Sequence, residues 1–496
     1  MSALATSLPS ASTLAIAVVL ALVVIAALMW VMRRHAEAFP LLAVFALPFR
    51  LPISTGGRTV NLLIPLYLVV AAGTLEYLLP RLLGRGAPRE REGAREEPAA
   101  PTRLAFWGSP RGVEWLLFAA VGLYALQTLY SADRAKAAEN IAFFYVPFAL
   151  LFLILRDVRW TRRLLLRCLA VAVALAVLFA GVGFIEYYRK SLFLNPKVVA
   201  ANQYDNYFRV NSVFFDPSIY GRFLALVMVA LTAAVLARGA GAYDRLRRRD
   251  VLIGGAVLLW LLAGLVTSFS QSSIAALVLG LWVLGAWSWG VRFALYVALA
   301  ALVLAAAFVL VAPASLHLGV KGSSGGANNA TSGRASLVSG GLELFAQRPL
   351  EGYGAGSFER EYKRAHAASG AENAVSASHT IPVTVAAEQG IVGLALYVAL
   401  LASAFVVLFR GAGRSPPRPK PGDTRLRLAS PFRPAIAACF AALVLHTWTY
   451  ADFLEDPSTW LLLAIGLALA RAAAPAGAGL GAQETVPGAG EPASSF

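Results

Sequence analysis

The chain has 496 residues, of which 58% are hydrophobic and only 14% charged, with a formal net charge of +16. Soluble domains carry roughly 25% charged residues, and runs of about 18 apolar residues, enough to cross a bilayer core, recur along this one. The composition therefore excludes a soluble globular protein. The positive charge sits in short loops between apolar runs, which excludes a nucleic-acid-binding face and marks one side of a membrane.

In chain order, apolar runs fall near 12–32, 38–54, 59–80, 113–130, 137–155, 164–186, 217–237, 251–269, 273–290, 293–312, 382–409, 434–450 and 457–473. All are expected to be helices, because lipid leaves helices or closed barrels as the solutions for backbone polar groups, and these runs lack the alternation of barrel strands. The second run is interrupted by Pro40, Pro48 and Pro52 and reads as a half-span or re-entrant segment. The predicted fold is all-α, a polytopic membrane protein with 12–13 transmembrane helices.

Arg33 and Arg34, then Arg81 to Arg111, Arg156 to Arg163, Arg245 to Arg249 and Arg410 to Arg433 alternate so that thirteen spans put them all on one side. That side is expected to be the cytoplasm. Residues 84–112, rich in Pro, Gly and Arg, read as a cytoplasmic linker, and the tail 476–496 as disordered. Residues 1–475 then form a single integral membrane domain with two long outer loops, 187–216 and 313–381. Cys168 and Cys439 both fall inside predicted spans, so no disulfide framework is indicated.

The second outer loop holds the chemistry-bearing residues. It contains Arg334, then SLVSGGLELFAQ with apolar residues at helical spacing, expected to lie on the membrane surface. A turn-rich stretch, RPLEGYGAGSFEREY, follows, and then SASHTIPVTVAAEQGIVGL opens the next span with His379 and, two turns in, Glu388. Histidine titrates near neutrality and suits a general base. The forked, permanently charged guanidinium of arginine suits phosphate. A carboxylate inside a span, such as Glu388, is costly unless paired and is expected to brace the loop. No HExxH, CxxC or paired aspartates occur on the outer face, so neither a metal nor a cofactor is called for.

The ordered combination resembles the O-antigen ligase and O-antigen polymerase superfamily, closest to the ligase type. It consists of Arg334, Pro349-Leu350-Glu351-Gly352-Tyr353-Gly354-Ala355-Gly356-Ser357-Phe358, His379 and Glu388-Gln389-Gly390-Ile391-Val392-Gly393-Leu394. The preceding outer loop, with Arg209, Asp216-Pro217 and Gly221, is similar to that family's as well. The resemblance implies an inverting glycosyltransferase. It would move a glycan from an undecaprenyl-diphosphate carrier to a hydroxyl of a lipid or glycan acceptor outside the cytoplasmic membrane. The residues it implies are His379 as base, Arg209, Arg334 and Arg222 at the diphosphate, and Glu388, Gln271 and Tyr353 in support. Two positions depart from the family pattern. Thr380 follows His379 where Asn is frequent, and Gln271 stands in TSFSQSS where an arginine is frequent; Arg222 is the cation nearest to hand to replace it. A polysaccharide polymerase would share the donor site, as would, with a poorer fit, a cell-wall elongation glycosyltransferase using Asp205 or Asp216. A transporter or flippase would instead need charges along a mid-membrane path.

Overall fold

A computed structural model of the chain describes residues 11–55, 58–84, 106–193, 208–237, 248–293, 295–299, 334–366, 380–410, 432–450 and 452–473. Most of the linker, the tail, the far end of the run 293–312, the first part of the second outer loop and His379 lie outside them. What is described is a helical membrane protein with one short hairpin.

The N-terminal helix α1 (Ala11–Arg34) has no charge until Arg33. Its Ile16, Val19, Leu20 and Leu22 are exposed in the way a lipid-facing helix requires. The next run, 38–54, is a half-length helix, as its prolines suggested, but it ends in a strand that the run did not suggest. Helix α2 (Ala38–Ala46) stops halfway, and Leu51–Thr55 (β1) pairs antiparallel with Arg58–Leu62 (β2), with Pro52 opposite Asn61. Pro48 and Pro52 carry no N–H and cannot extend a helix through the interval, while the β-branched residues of ISTxxRTV suit a strand pair. The third run therefore starts at Ile64 instead of 59, as α3 (Ile64–Gly73), a π turn and α4 (Leu79–Leu82).

The chain continues with α5 (Pro110–Thr128), α6 (Arg134–Asn140), a second π turn and α7 (Val146–Leu155). In both π turns a proline, Pro80 or Pro147, opens the following helix. The widened turn absorbs the missing donor without breaking the span. The long helix α8 (Arg162–Arg189) leads to α9 (Pro217–Ala237), α10 (Arg248–Thr267) and α11 (Gln271–Trp289). On the second outer loop lie α12 (Arg334–Gln347) and α13 (Phe358–Ala365), followed by α14 (Ile381–Phe409), α15 (Phe432–Trp448) and α16 (Pro457–Ala473).

Seven of the described helices are long and apolar enough to cross a bilayer, and α15 and α16 are shorter apolar ones. Helices α9, α11 and α15 pack on one another at the centre. Lipid tails are as apolar as leucine, so such contacts rest on close backbone approach through small residues. Ala437, Ala438, Ala441 and Ala442 of α15 are all buried, and a Cβ on Gly280 of α11 would come within 2.5 Å of Val229.

At the arginine-rich end, ion pairs tie span ends together: Arg33 to Glu76 at 2.7 Å, Arg81 to Asp157 at 2.6 Å, and Arg167 to Glu37. Helix α12 is seated on its neighbours through part of its apolar side, while Leu342 stays half exposed. Leu344 is buried with Phe358, Tyr362 and Ala387, so this part of the stripe packs on α13 and α14.

Candidate functional site

The polar residues singled out in the sequence collect at the end opposite the arginine-rich one. Three pieces build that end.

The first is a turn docked into a break in a helix. Gly390 has φ +64°, a backbone conformation open to glycine, and it splits α14 into an outer segment and a lower span. The turn Pro349–Ser357 fills the break. Tyr353 N–H donates to the Ala387 carbonyl (3.1 Å), Gly354 N–H to that of Glu388 (2.8 Å), and Ile391 N–H to that of Pro349 (2.8 Å). The Glu388 carboxylate accepts the N–H groups of Gly356 (2.9 Å) and Phe358 (3.0 Å), so it caps the start of α13. The end of α5 closes the turn from the other side, with Ser131 Oγ donating to Ala355 O (2.7 Å) and Tyr130 Oη to Glu351 O (2.9 Å). A Cβ on Gly354 would sit 2.3 Å from Ser131 Cα. Tyr353 itself is half-buried, donating to Gln347 Oε1 at 2.5 Å with the Arg348 guanidinium 4.7 Å over its ring. The assembly leads up to Thr380 at the start of α14.

The second piece carries Arg209. Its Nε donates to Ser268 O (3.3 Å), and Val210 N–H donates to Thr267 O (3.2 Å). Arg209 and Val210 therefore lie on the turn between α10 and α11, ahead of Gln271, the exposed first residue of α11. Glu186, at the end of α8, accepts N–H groups from Ser212 (2.7 Å) and Phe193 (3.2 Å) and secures both ends of the first outer loop. Beneath it, the hydroxyls of Ser272 and Ser273 lie 3.3 and 3.2 Å from His446 Nε2. Sequence reading gave His446 no functional role and noted these serines only within TSFSQSS; the contact spans more than 170 positions.

The third piece is charged and buried. Arg222, one turn into α9, is 2% exposed and forms an ion pair with Asp456 at the start of α16. The short connection 449–456 between α15 and α16 also carries Asp452 and Glu455. Burial raises the Asp452 carboxyl above its usual range, against the pull of Arg222 and Arg50. Burial and then the charge of Asp452 push Glu455 up to about 8, despite Lys136. Glu455 also accepts from Asn140 Nδ2 (3.0 Å). Arg50, which the sequence reading passed over, lines a small cavity with Arg222 and Asp456. That cavity shares Leu47, Phe223, Leu226 and Ser458 with a larger one of about 180 Å³ between α2, α8, α9, α15 and α16. The larger cavity is walled almost entirely by apolar side chains, Cys168 and Cys439 among them.

The structure thus places Arg209 on the turn that leads into Gln271, and gathers Arg222 with Asp456 and Tyr353 with the segment of Glu388. Arg334 begins α12, and its side chain lies outside the described residues, as does His379. Among the described residues no group of three His, Cys, Asp or Glu side chains could hold a metal ion.

No curated protein matches the chain. A family model does: residues 256–398 match O-antigen ligase. The match runs from α10 through the whole second outer loop and past the break at Gly390, and takes in Gln271, Arg334, Tyr353, His379 and Glu388. That match supports placing this multi-pass membrane protein in the O-antigen ligase superfamily.

Proposed function

We propose that the protein transfers a glycan from an undecaprenyl-diphosphate carrier to an acceptor hydroxyl on the extracytoplasmic side of the cytoplasmic membrane. The observation that supports this most is an apolar cavity of about 180 Å³ between the spans that shares Leu47, Phe223, Leu226 and Ser458 with a small cavity walled by Arg50, Arg222 and Asp456. An isoprenoid tail needs the first and a diphosphate the second.

In this reading Arg209, Arg334 and Arg222 neutralise the diphosphate, and His379 takes the proton of the acceptor hydroxyl as its oxygen attacks the anomeric carbon. The bond from that carbon to the diphosphate breaks, its electron pair leaves on the phosphate oxygen, and the configuration inverts. A base is needed because a sugar hydroxyl is a poor nucleophile at neutral pH, whereas a neutralised diphosphate departs without a proton. Glu388 and Tyr353 set the frame that carries His379. Gln271, exposed at the start of α11, would meet the same head group as a neutral hydrogen-bonding partner.

Purified protein, given a polyprenyl-diphosphate oligosaccharide and candidate acceptors without nucleotide, should form a new glycosidic bond with inversion. His379→Ala should lose about 10²–10⁴-fold in turnover while still binding donor. No product from any acceptor, or an unaffected His379→Ala, would defeat the reading. Growth of a second lipid-linked chain, in place of capping an acceptor, would mark a polymerase.

A further inference from the structure

We infer that Asp456 is a resident counter-ion standing where a phosphate binds, and that Arg222, with Arg50 beside it, receives the phosphate head of a bound lipid once Asp456 releases Arg222. The inference rests on the donor reading above and adds to it a cation and an exchange step.

Arg222 is the starting point. It is 2% exposed, and its buried Nη1 has no hydrogen-bond partner although Asp456 pairs with the same guanidinium. A guanidinium offers five donors, and a buried charge with part of its donors unused is destabilising by itself. Proteins retain such a group where something else completes it. Both arginines wall the same cavity, and Arg50 reaches it from the end of the half-span α2, its guanidinium 5.1 Å over the Phe215 ring.

Size decides the state. The small cavity is about 20 Å³, room for one water and too little for a phosphate. Something has to move, and Asp456 is the wall residue that carries the competing charge. Its Oδ1 also accepts the Ser458 N–H at 2.6 Å, capping α16. A departing Asp456 would therefore bare Arg222, beside Arg50, and the amino end of a 17-residue helix, both suited to an anion. The other charged and titratable groups facing the pair are Asp216, Tyr450 and Asp452, all on the outer side. On one side Leu47, Phe223, Leu226 and Ser458 wall both this cavity and the apolar one. An anion with a hydrocarbon tail fits both.

The test measures binding of geranylgeranyl diphosphate and of inorganic pyrophosphate to the full chain in neutral detergent. Asp456→Asn keeps the capping oxygen and removes the charge, so it should bind the prenyl diphosphate several-fold tighter. Arg50→Gln, at a half-buried position, should bind it about tenfold more weakly, the worth of one charge-assisted hydrogen bond. Pyrophosphate should follow the same order with lower affinity throughout. Equal affinity for the two ligands would overturn the lipid assignment. Unchanged or weaker binding in folded Asp456→Asn would overturn the exchange, and unchanged binding in Arg50→Gln would overturn the second grip. If Asp456→Asn fails to fold, Arg50→Gln decides alone. Should transfer activity and the effects of Arg209→Ala and Arg334→Ala stand while these two variants are silent, only this inference falls. If wild type neither binds prenyl diphosphate nor transfers glycan, the functional reading falls with it.

Discussion

Gly390 and Leu350 meet backbone to backbone, so closely that a Cβ on Gly390 would stand 2.1 Å from the Leu350 carbonyl oxygen. Two stretches forty residues apart are thus complementary surfaces of one joint, in which the second outer loop is seated on its following helix.

Gly390→Ala should strain the backbone by roughly 1–3 kcal/mol and also force the joint apart. Glu388→Gln keeps one acceptor oxygen for Gly356 or Phe358 and should be the milder change. Glu388→Ala leaves both N–H groups without their carboxylate and should cost about 1–3 kcal/mol. Thermal melting and transfer rate should fall together in the order Gly390→Ala, Glu388→Ala, Glu388→Gln. A normal Gly390→Ala enzyme would show that the joint does not position the site.

Arg209→Ala and Arg334→Ala should each weaken donor binding by about 1.5–3 kcal/mol, as expected for hydrogen bonds to a charged group. Lysine should restore only part, because it lacks the fork. Titration with a prenyl diphosphate reads both, and unchanged affinity in the two alanine variants would remove them from the site.

The acidic connection 449–456 predicts a pH trend in stability. Folding lifts Glu455 from its ordinary value to about 8, so between pH 4.5 and 8 the folded protein binds a proton that the unfolded chain has lost. This contribution favours folding fully below the ordinary value and fades as pH rises through the folded one. Melting temperature in detergent should therefore decline from pH 5 to 8, and Glu455→Gln should flatten the decline. An equally steep decline in that variant would place its origin elsewhere.

The only two cysteines of the chain both line the apolar cavity. N-ethylmaleimide should modify Cys168 and Cys439 slowly, and geranylgeranyl diphosphate should protect both. Labelling that ignores the lipid would mean that the tail lies elsewhere. In a background without these two, a cysteine at position 340 should react with an impermeant reagent from outside intact cells, and one at position 420 should not.

The helical architecture was legible because membrane spans announce themselves by length and apolarity, residue by residue. The hairpin over Leu51–Leu62 was hidden inside such a run, and its signal was the proline pair around Arg50, where a helix reading cannot continue. Arg50 itself was overlooked for that reason, since a charge at the end of an interrupted span looks like a boundary marker. The turn at Gly352 to Gly356 and the helix opening at Glu388 were both visible as motifs. Their docking on each other, and on Ser131, was not, because it pairs backbone atoms across long separations without any local periodicity.

The wall of the larger cavity has Arg162 and Ser458 near its two ends and carbon and sulfur between. Such a surface has no orientation-dependent grip, and one methylene more or less changes its hold by only about 1–3 kcal/mol. Carriers that differ in tail length or unsaturation should therefore compete on nearly equal terms. Discrimination among donors has to be made at the outer end, by the sugars nearest the head group, and exchanging residues 334–394 between relatives should transplant sugar preference while leaving tolerance for the tail unchanged.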